Sequence, residues 1–195
     1  QTLWAIGNIV GDGAVLRDVA LNLDVLPTVV ACITAPVTTT TLQRNAAWVL
    51  HNLVRWKPAV SGDVLYGIQP AVVHALSTSN DGIVLEDVCW CVNHLMDAGH
   101  ELNERVGVFV ENGVLPLLLD LLKHEDHKVV NPVMRCLGSV VLSTHVQAIM
   151  DLDFPRYLAD VLHICNTKMG SDADGGTYLT KIAREFIEYV DLMRE

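Results

Sequence analysis

Apolar side chains recur along this chain at three- and four-residue intervals between polar breaks, and this period predicts helices. One stretch contains a complete unit. A short helix is predicted over Leu102–Glu111, an Asn-Gly pair at 112–113 ends it, and a second helix over 114–123 is apolar nearly all round. Pro116 falls in the first turn of that second helix, where a missing N–H is tolerated. A charged loop then leads to a long third helix over 129–142, and poor alternation argues against strands.

This three-helix unit repeats. Trp4, Trp48 and Trp90 are spaced by 44 and 42 residues, and Arg135 takes the equivalent position 45 residues later. Repeats of about 40–47 residues are typical of HEAT and armadillo arrays. The sequence therefore predicts an all-α solenoid of about three to four three-helix units. The predicted boundaries are a partial repeat at 1–10 and repeats at about 11–57, 58–99, 100–144 and 145–195 of a single array.

Three segments depart from the repeat pattern. Residues 56–67 carry Pro58 and Gly62, so the first helix of that unit is predicted to be short or replaced by a loop. Residues 168–176 are rich in Gly and Asp and are predicted to form a flexible loop. A final helix is predicted over 177–194, without the Trp pattern.

Composition narrows the classes of function. The 195 residues are 51% hydrophobic and 18% charged, which excludes intrinsic disorder. A net charge of -10 disfavours nucleic acid as a partner and suits basic ones. No apolar run reaches the length of about 18 residues that a membrane span needs. The start, which resembles a helix interior, suggests a trimmed internal piece of a longer protein. The odd number of cysteines in apolar segments predicts reduced, buried thiols: Cys32, Cys89, Cys91, Cys136 and Cys165.

A polar residue follows each of the three repeat tryptophans, Trp4, Trp48 and Trp90, by four positions, which puts both side chains on one helix face. These polar residues are Asn8, Asn52 and His94. An Asn amide can bond the backbone of an extended peptide, and neighbouring indoles can hold the stem and charge of a Lys or Arg for about 0.5–2 kcal/mol each. A lone Trp would be assigned to the core, but three at one repeat position favour a binding ladder. Nearby acids such as Asp12 and Asp87 would add charge complementarity.

No catalytic or cofactor chemistry is predicted. Nucleotide-binding glycine motifs are absent, and Cys89 and Cys91 diverge by about 200° on a helix, so they are not expected to share a metal. His124 and His127 lie in a loop that is expected to be solvated, and the paired acids of the chain have no recognisable nucleophile or base beside them. We therefore expect neither an enzyme nor a bound metal or cofactor.

Several strings resemble the importin-alpha family of armadillo-repeat receptors for nuclear localisation signals. They are TLWAIGNIVGDG, LQRNAAWVLHNLVR, VLEDVCWCVNHLMDAG, ENGVLPLLLDLL and PVMRCLGSVV, and they fall within about residues 1–165. The resemblance implies a right-handed superhelical solenoid of armadillo repeats, here an interior and divergent portion of the receptor.

The resemblance also implies roles for individual residues. Asp12 matches the acid that pairs with the most tightly held signal lysine, and Arg135 matches an arginine that replaces a Trp and separates two grooves. His94 stands where the family usually has a tyrosine. The full set of implied peptide-binding residues is Trp4, Asn8, Asp12, Asn45, Trp48, Asn52, Arg55, Asp87, Trp90, His94 and Arg135.

The implied function is that of a nuclear import adaptor that binds Lys/Arg-rich signals, extended along a concave groove, in the cytoplasm and nucleus. Importin-beta is an implied partner, through a segment that this sequence does not contain. Exposed repeat ends are expected to invite self-association. The alternative is a generic armadillo or HEAT interaction scaffold without specificity for localisation signals.

Overall fold

The computed structural model describes residues 1–157 and 159, and this part of the chain is helical and has no strand. The predicted all-α fold is confirmed. The helices are α1 (Thr2–Val10), α2 (Ala14–Asn22), α3 (Val25–Thr34), α4 (Thr40–Val54), α5 (Gly62–Thr78), α6 (Gly82–Met96), α7 (Leu102–Glu111), α8 (Val114–Leu121), α9 (His127–Val141) and α10 (Val146–Met150), with a 3-10 turn at Gly99–Glu101. No helix among these residues is long and apolar enough to cross a membrane.

The helices stack by type, as in a solenoid. Helices α1, α4, α6 and α9 contact one another in that order, and α3, α5 and α8 form a second series. Each unit therefore packs mainly on its neighbours, and apolar side chains between the two series form one continuous core. The repeat boundaries themselves stay a prediction.

Each long helix of the first series begins at a polar cap. At the start of α4, the side chain of Thr39 accepts a hydrogen bond from the Leu42 N–H. At the starts of α6 and α9, Asp81 accepts from the N–H groups of Ile83 and Val84, and Asp126 accepts from that of Lys128. Such caps satisfy N–H groups that have no partner within the helix. Because the caps recur with the repeat, α4, α6 and α9 begin in the same register and present equivalent residues on one side.

The predictions for the third unit are confirmed closely. Helix α7 occupies Leu102–Glu111, and Gly113 adopts the left-handed conformation (φ 68°) that suits glycine. The long third helix begins two residues earlier than predicted, at His127, because Asp126 caps it. The loop predicted at 168–176 and the helix predicted at 177–194 lie outside the described residues.

For residues 56–67, the prediction of a first helix that is short or replaced by a loop is correct for 56–61, which are not helical. From Gly62 onwards the chain forms a single helix, α5, that runs through Pro70 to Thr78, so the short first helix is merged with the second. Pro70 has no N–H, so the carbonyl of Tyr66, four residues earlier, has no donor within the helix. Both residues are exposed, so water can donate a hydrogen bond to that carbonyl. Pro58 lies in the turn before the helix, and therefore does not interrupt it.

Three of the four described cysteines are buried thiols, as predicted. Cys89, Cys91 and Cys136 are fully buried and free, while Cys32 is half-buried. Burial raises the thiol pKa of all three buried cysteines, which leaves them protonated and unreactive. Cys165 lies outside the described residues.

Candidate functional site

Four equivalent side chains line one side of the first helix series. Trp4 lies in α1, Trp48 in α4, Trp90 in α6 and Arg135 in α9. Since these helices contact one another in sequence, the side chains follow each other across four adjacent helices. We call the surface that carries these four residues the ladder face.

The α1 end of the ladder face is open. Trp4 is 60% exposed, and Asn8 and Asp12 are also exposed. Asn8 Nδ2 donates to the carbonyl oxygen of Trp4 at 2.9 Å, which fixes the amide beside the indole. An indole, an amide and a carboxylate are thus available to solvent within one short stretch of chain.

Trp48 lies directly against the backbone of α1. A Cβ added to Gly7 would come within 2.2 Å of Cζ3 of the Trp48 ring, so only glycine leaves room for the indole. The ring is half-buried and packs on the core. Gly7 therefore sets how closely α4 approaches α1, and with it the position of the second indole.

Asn52 lies between α1 and α4 rather than on the open surface. It is 2% exposed, and its Nδ2 donates to the carbonyl oxygen of Gly7 at 3.2 Å. Its Oδ1 has no hydrogen-bond partner among the described residues. The amide thus bridges two helices and its oxygen is buried, so a peptide would reach it only after a local rearrangement.

Donors from the end of α4 and from Trp56 satisfy the C-terminal carbonyls of α1. Arg55 Nη2 donates to the carbonyl of Gly11 at 2.6 Å, and Trp56 Nε1 donates to that of Val10 at 3.1 Å. The Arg55 guanidinium also lies 4.6 Å from the centroid of the Trp56 ring. A positive charge at a helix C-terminus is favourable. Trp56, which lies outside the repeat pattern, therefore has a capping role that spacing alone does not indicate.

Two imidazoles lie beside the third indole, and we call His51, Trp90 and His94 the ring cluster. The centroid of His51 lies 5.3 Å from that of His94 and 6.5 Å from that of Trp90, with interplanar angles of 18° and 11°. His94 lies 5.9 Å from Trp90. Nδ1 of His51 is hydrogen-bonded to Oδ1 of Asp87 at 3.0 Å, so this carboxylate is engaged within the protein.

A guanidinium lies on the far side of the ring cluster. The guanidinium carbon of Arg135 lies 5.6 Å from the centroid of the Trp90 ring. Burial lowers the pKa of His94 to about 4, and the nearby charges of His51, Lys57 and Arg55 act in the same direction. His94 is therefore neutral near pH 7, and Arg135 carries the fixed charge here.

The sequence-based candidate set therefore divides into two groups. Trp4, Asn8 and Asp12 are open, whereas Asp87 and Trp90 contact other side chains of the chain. Asn45 is half-buried in α4. His51 was missed as a candidate, although it lies three residues after Trp48, where the first unit has Gly7 next to the following indole.

The described residues contain no group of three His, Cys, Asp or Glu side chains that could hold a metal ion. The site is instead a surface of aromatic, amide and charged groups. Such a surface can bind a ligand by stacking, hydrogen bonding and charge pairing.

Comparisons with known proteins give the family context. No family model matches the chain. It is 32% identical over 149 residues to importin subunit alpha-1b of Oryza sativa subsp. japonica, covering 75% of this chain and 27% of the relative. It is 34% identical over 126 residues to importin subunit alpha-2 of Arabidopsis thaliana, covering 65% and 23%. The chain thus matches only about a quarter of the length of these relatives.

A solved structure gives the same fold. A designed armadillo repeat protein in complex with the peptide (KR)4 superposes with a TM-score of 0.69 at 14% identity, covering 97% of this chain and 80% of that one. Identity this low bears on the fold alone, whereas the importin matches bear on the sequence. Together they show that this chain is an armadillo-repeat array whose sequence is similar to a segment of the importin alpha subunits.

Proposed function

We propose that this chain acts in a nuclear import adaptor and binds Lys/Arg-rich localisation signals, extended along the ladder face. The observation that carries the proposal is the open α1 end, where exposed Trp4, Asn8 and Asp12 adjoin a continuous series of equivalent positions. Further along, the bound peptide would be flanked by Trp48, Asn45 and Arg55. Asn52 would hold α4 at its distance from α1 beneath the peptide. Asp87, Trp90, His94 and Arg135 would border the strand at its far end.

The chemistry of the open end favours a cationic strand. The stem of a lysine or arginine can pack along the Trp4 indole while its charge faces the ring, which is worth about 0.5–2 kcal/mol. The exposed carboxylate of Asp12 can pair with that charge. The net charge of -10 adds long-range attraction for a basic peptide.

The relatives support the same proposal. Importin alpha subunits are among the proteins that match in sequence, and the designed armadillo protein with the same fold is in complex with (KR)4, a peptide of alternating Lys and Arg. An adaptor of this class would work in the cytoplasm and nucleus, with the cargo signal as its peptide ligand.

A peptide titration tests the proposal. Fluorescence anisotropy of a labelled (KR)4 peptide should give a dissociation constant that rises at least about tenfold, or 1.4 kcal/mol, in Trp4→Ala and in Asp12→Lys. Binding should also weaken as salt is raised, since charge pairs contribute. Tyr66→Ala is a matched control, because Tyr66 is equally exposed (60%) but lies on α5. Glu111→Lys on α7 makes the same charge change as Asp12→Lys outside the ladder face.

The two controls should bind like the wild type. If Trp4→Ala and Asp12→Lys also bind with wild-type affinity, the ladder face is not the binding site. Equal losses in the controls would instead show a non-specific response to net charge or folding.

A second candidate function is an armadillo interaction scaffold without specificity for localisation signals. The observations that favour it are the burial of Asn52 and the engagement of Asp87 by His51, since both remove polar groups from the surface. A scaffold of this kind should bind an extended peptide of the same length with Gln in place of Lys and Arg as tightly as (KR)4. The importin-type function requires the basic peptide to bind more tightly.

A further inference from the structure

We call the region between two successive tryptophans of the ladder face an interval. The residue beside the next indole differs between the first interval, from Trp4 to Trp48, and the second, from Trp48 to Trp90. Trp48 rests on the bare backbone of Gly7, which lies three residues after Trp4. The equivalent position three residues after Trp48 is His51, and its ring lies nearly parallel to that of Trp90. At this position α1 has only backbone, against which Trp48 packs, whereas α4 supplies an imidazole.

His51 is held in place by several contacts. Its Nδ1 bonds to Asp87, and its ring stacks on that of His94 at 5.3 Å. The side chains of His51 and Asp87 are only 18% and 16% exposed. Asp87, which could otherwise pair with a cation of a bound peptide, is thus already bonded within the protein.

The other neighbour of Trp90 is a cation. Arg135 extends from α9, while His51 extends from α4, and α6 contacts both of these helices. Protein side chains thus approach Trp90 from both neighbouring helices. A lysine brought to this indole would displace an imidazole or meet the positive charge of a guanidinium. Trp4, which is 60% exposed, presents neither obstacle.

Resting on the proposed function, we infer that His51 is a specificity-determining residue that closes the interval between Trp48 and Trp90 to a peptide cation. The groove therefore selects a short basic cluster bound at the Trp4–Trp48 end. The peptide residue that reaches Trp90 is expected to be small or uncharged. A long, uniformly basic strand gains little from the positions beyond the cluster.

An alanine scan of (KR)4 against the full chain and against His51→Ser tests this inference by anisotropy. In the wild type, the positions at which alanine weakens binding should form one cluster. In His51→Ser, at least one further position should become sensitive, and affinity for the intact peptide should rise about fivefold. His51→Phe is the matched control, because a flat ring still fills the interval, and it should show no gain. His51→Ser combined with Asp87→Asn should lose the gain, because the released carboxylate is gone.

A second measurement uses the wild-type protein alone. Indole N–H signals in ¹⁵N NMR spectra, assigned with single Trp→Phe variants, should shift strongly for Trp4 on addition of (KR)4 and little for Trp90. An equal shift at Trp90 would overturn the inference, as would an affinity and scan profile of folded His51→Ser identical to the wild type. These failures differ from failure of the proposed function, in which Trp4→Ala and Asp12→Lys keep wild-type affinity.

Discussion

Gly7 offers a sharp test of how the ladder face is built. The substitution Gly7→Ala would place a Cβ within 2.2 Å of Cζ3 and 2.6 Å of Cε3 of the Trp48 ring. Neither the helix backbone nor a half-buried indole packed on the core can give way by more than 1 Å without loss of contacts. The ring must therefore move, and the bond from Asn52 to the Gly7 carbonyl must adjust with it.

The expected cost follows from two opposing terms. Overpacking of this kind costs about 1–3 kcal/mol. Alanine in place of glycine inside a helix recovers about 0.5–1 kcal/mol. The net change in the free energy of unfolding should be a loss of up to about 2.5 kcal/mol. For a chain of this size, that corresponds to a fall of up to about 10 °C in the melting temperature.

Thermal unfolding followed by circular dichroism measures this change. Gly62→Ala is the control, because Gly62 is also helical but no atom lies within 4 Å of its added Cβ, so the variant should be neutral or slightly stabilised. Combining Gly7→Ala with Trp48→Leu should recover part of the loss, since the smaller side chain relieves the clash. If Gly7→Ala melts at or above the Gly62→Ala temperature, the close contact between Trp48 and α1 is refuted.

Three further predictions concern charge and association. The pKa of His94 is lowered to about 4 in the folded chain, so between pH 6.5 and 4 only the unfolded chain takes up a proton, and the free energy of unfolding falls over that range. Urea unfolding measures this fall between pH 7 and pH 4.5. The fall should be about 1–2 kcal/mol larger in the wild type than in His94→Phe. Buried Arg17 donates to the carbonyls of Trp56 and Pro58, so Arg17→Met should cost about 2–4 kcal/mol in urea unfolding, and a change near zero would contradict that role. Val19 is 50% exposed on α2 among other exposed apolar residues, and such a patch favours self-association. In sedimentation equilibrium the apparent mass of the wild type should therefore rise with concentration, and Val19→Lys should reduce this rise. A wild-type mass that stays constant would contradict the prediction.

The helices and the repeat period could be predicted because their causes are local. The Asn-Gly pair at 112–113 ends α7 through the left-handed glycine, and the apolar period predicts α9 nearly to its ends. The early start of helix α5 was not predicted, because Pro58 and Gly62 are breakers only in a helix interior. Here Pro58 precedes the helix, and Gly62 is its first residue.

The candidate site was harder to predict, because neighbouring helices decide which side chains stay available. An Asn four residues after a Trp has the same local signature at positions 8 and 52. Asn8 bonds within its own helix and is exposed, while Asn52 has α1 beside it and bonds to Gly7. The roles of Trp56 and His51 depend in the same way on contacts more than 30 residues away in sequence.

The residues three positions after Trp4 and Trp48, which are Gly7 and His51, link these observations. Each contacts the next indole of the series, so its size affects where that indole can lie. A glycine at position 7 lets Trp48 rest on the backbone, and the histidine at position 51 meets Trp90 with a ring. A repeat that keeps its tryptophans can thus still change which intervals between them accept a ligand. The residue three positions after a tryptophan is therefore as informative about peptide selection as the indole itself, because in this chain it decides whether backbone or a second ring lies beside the next indole.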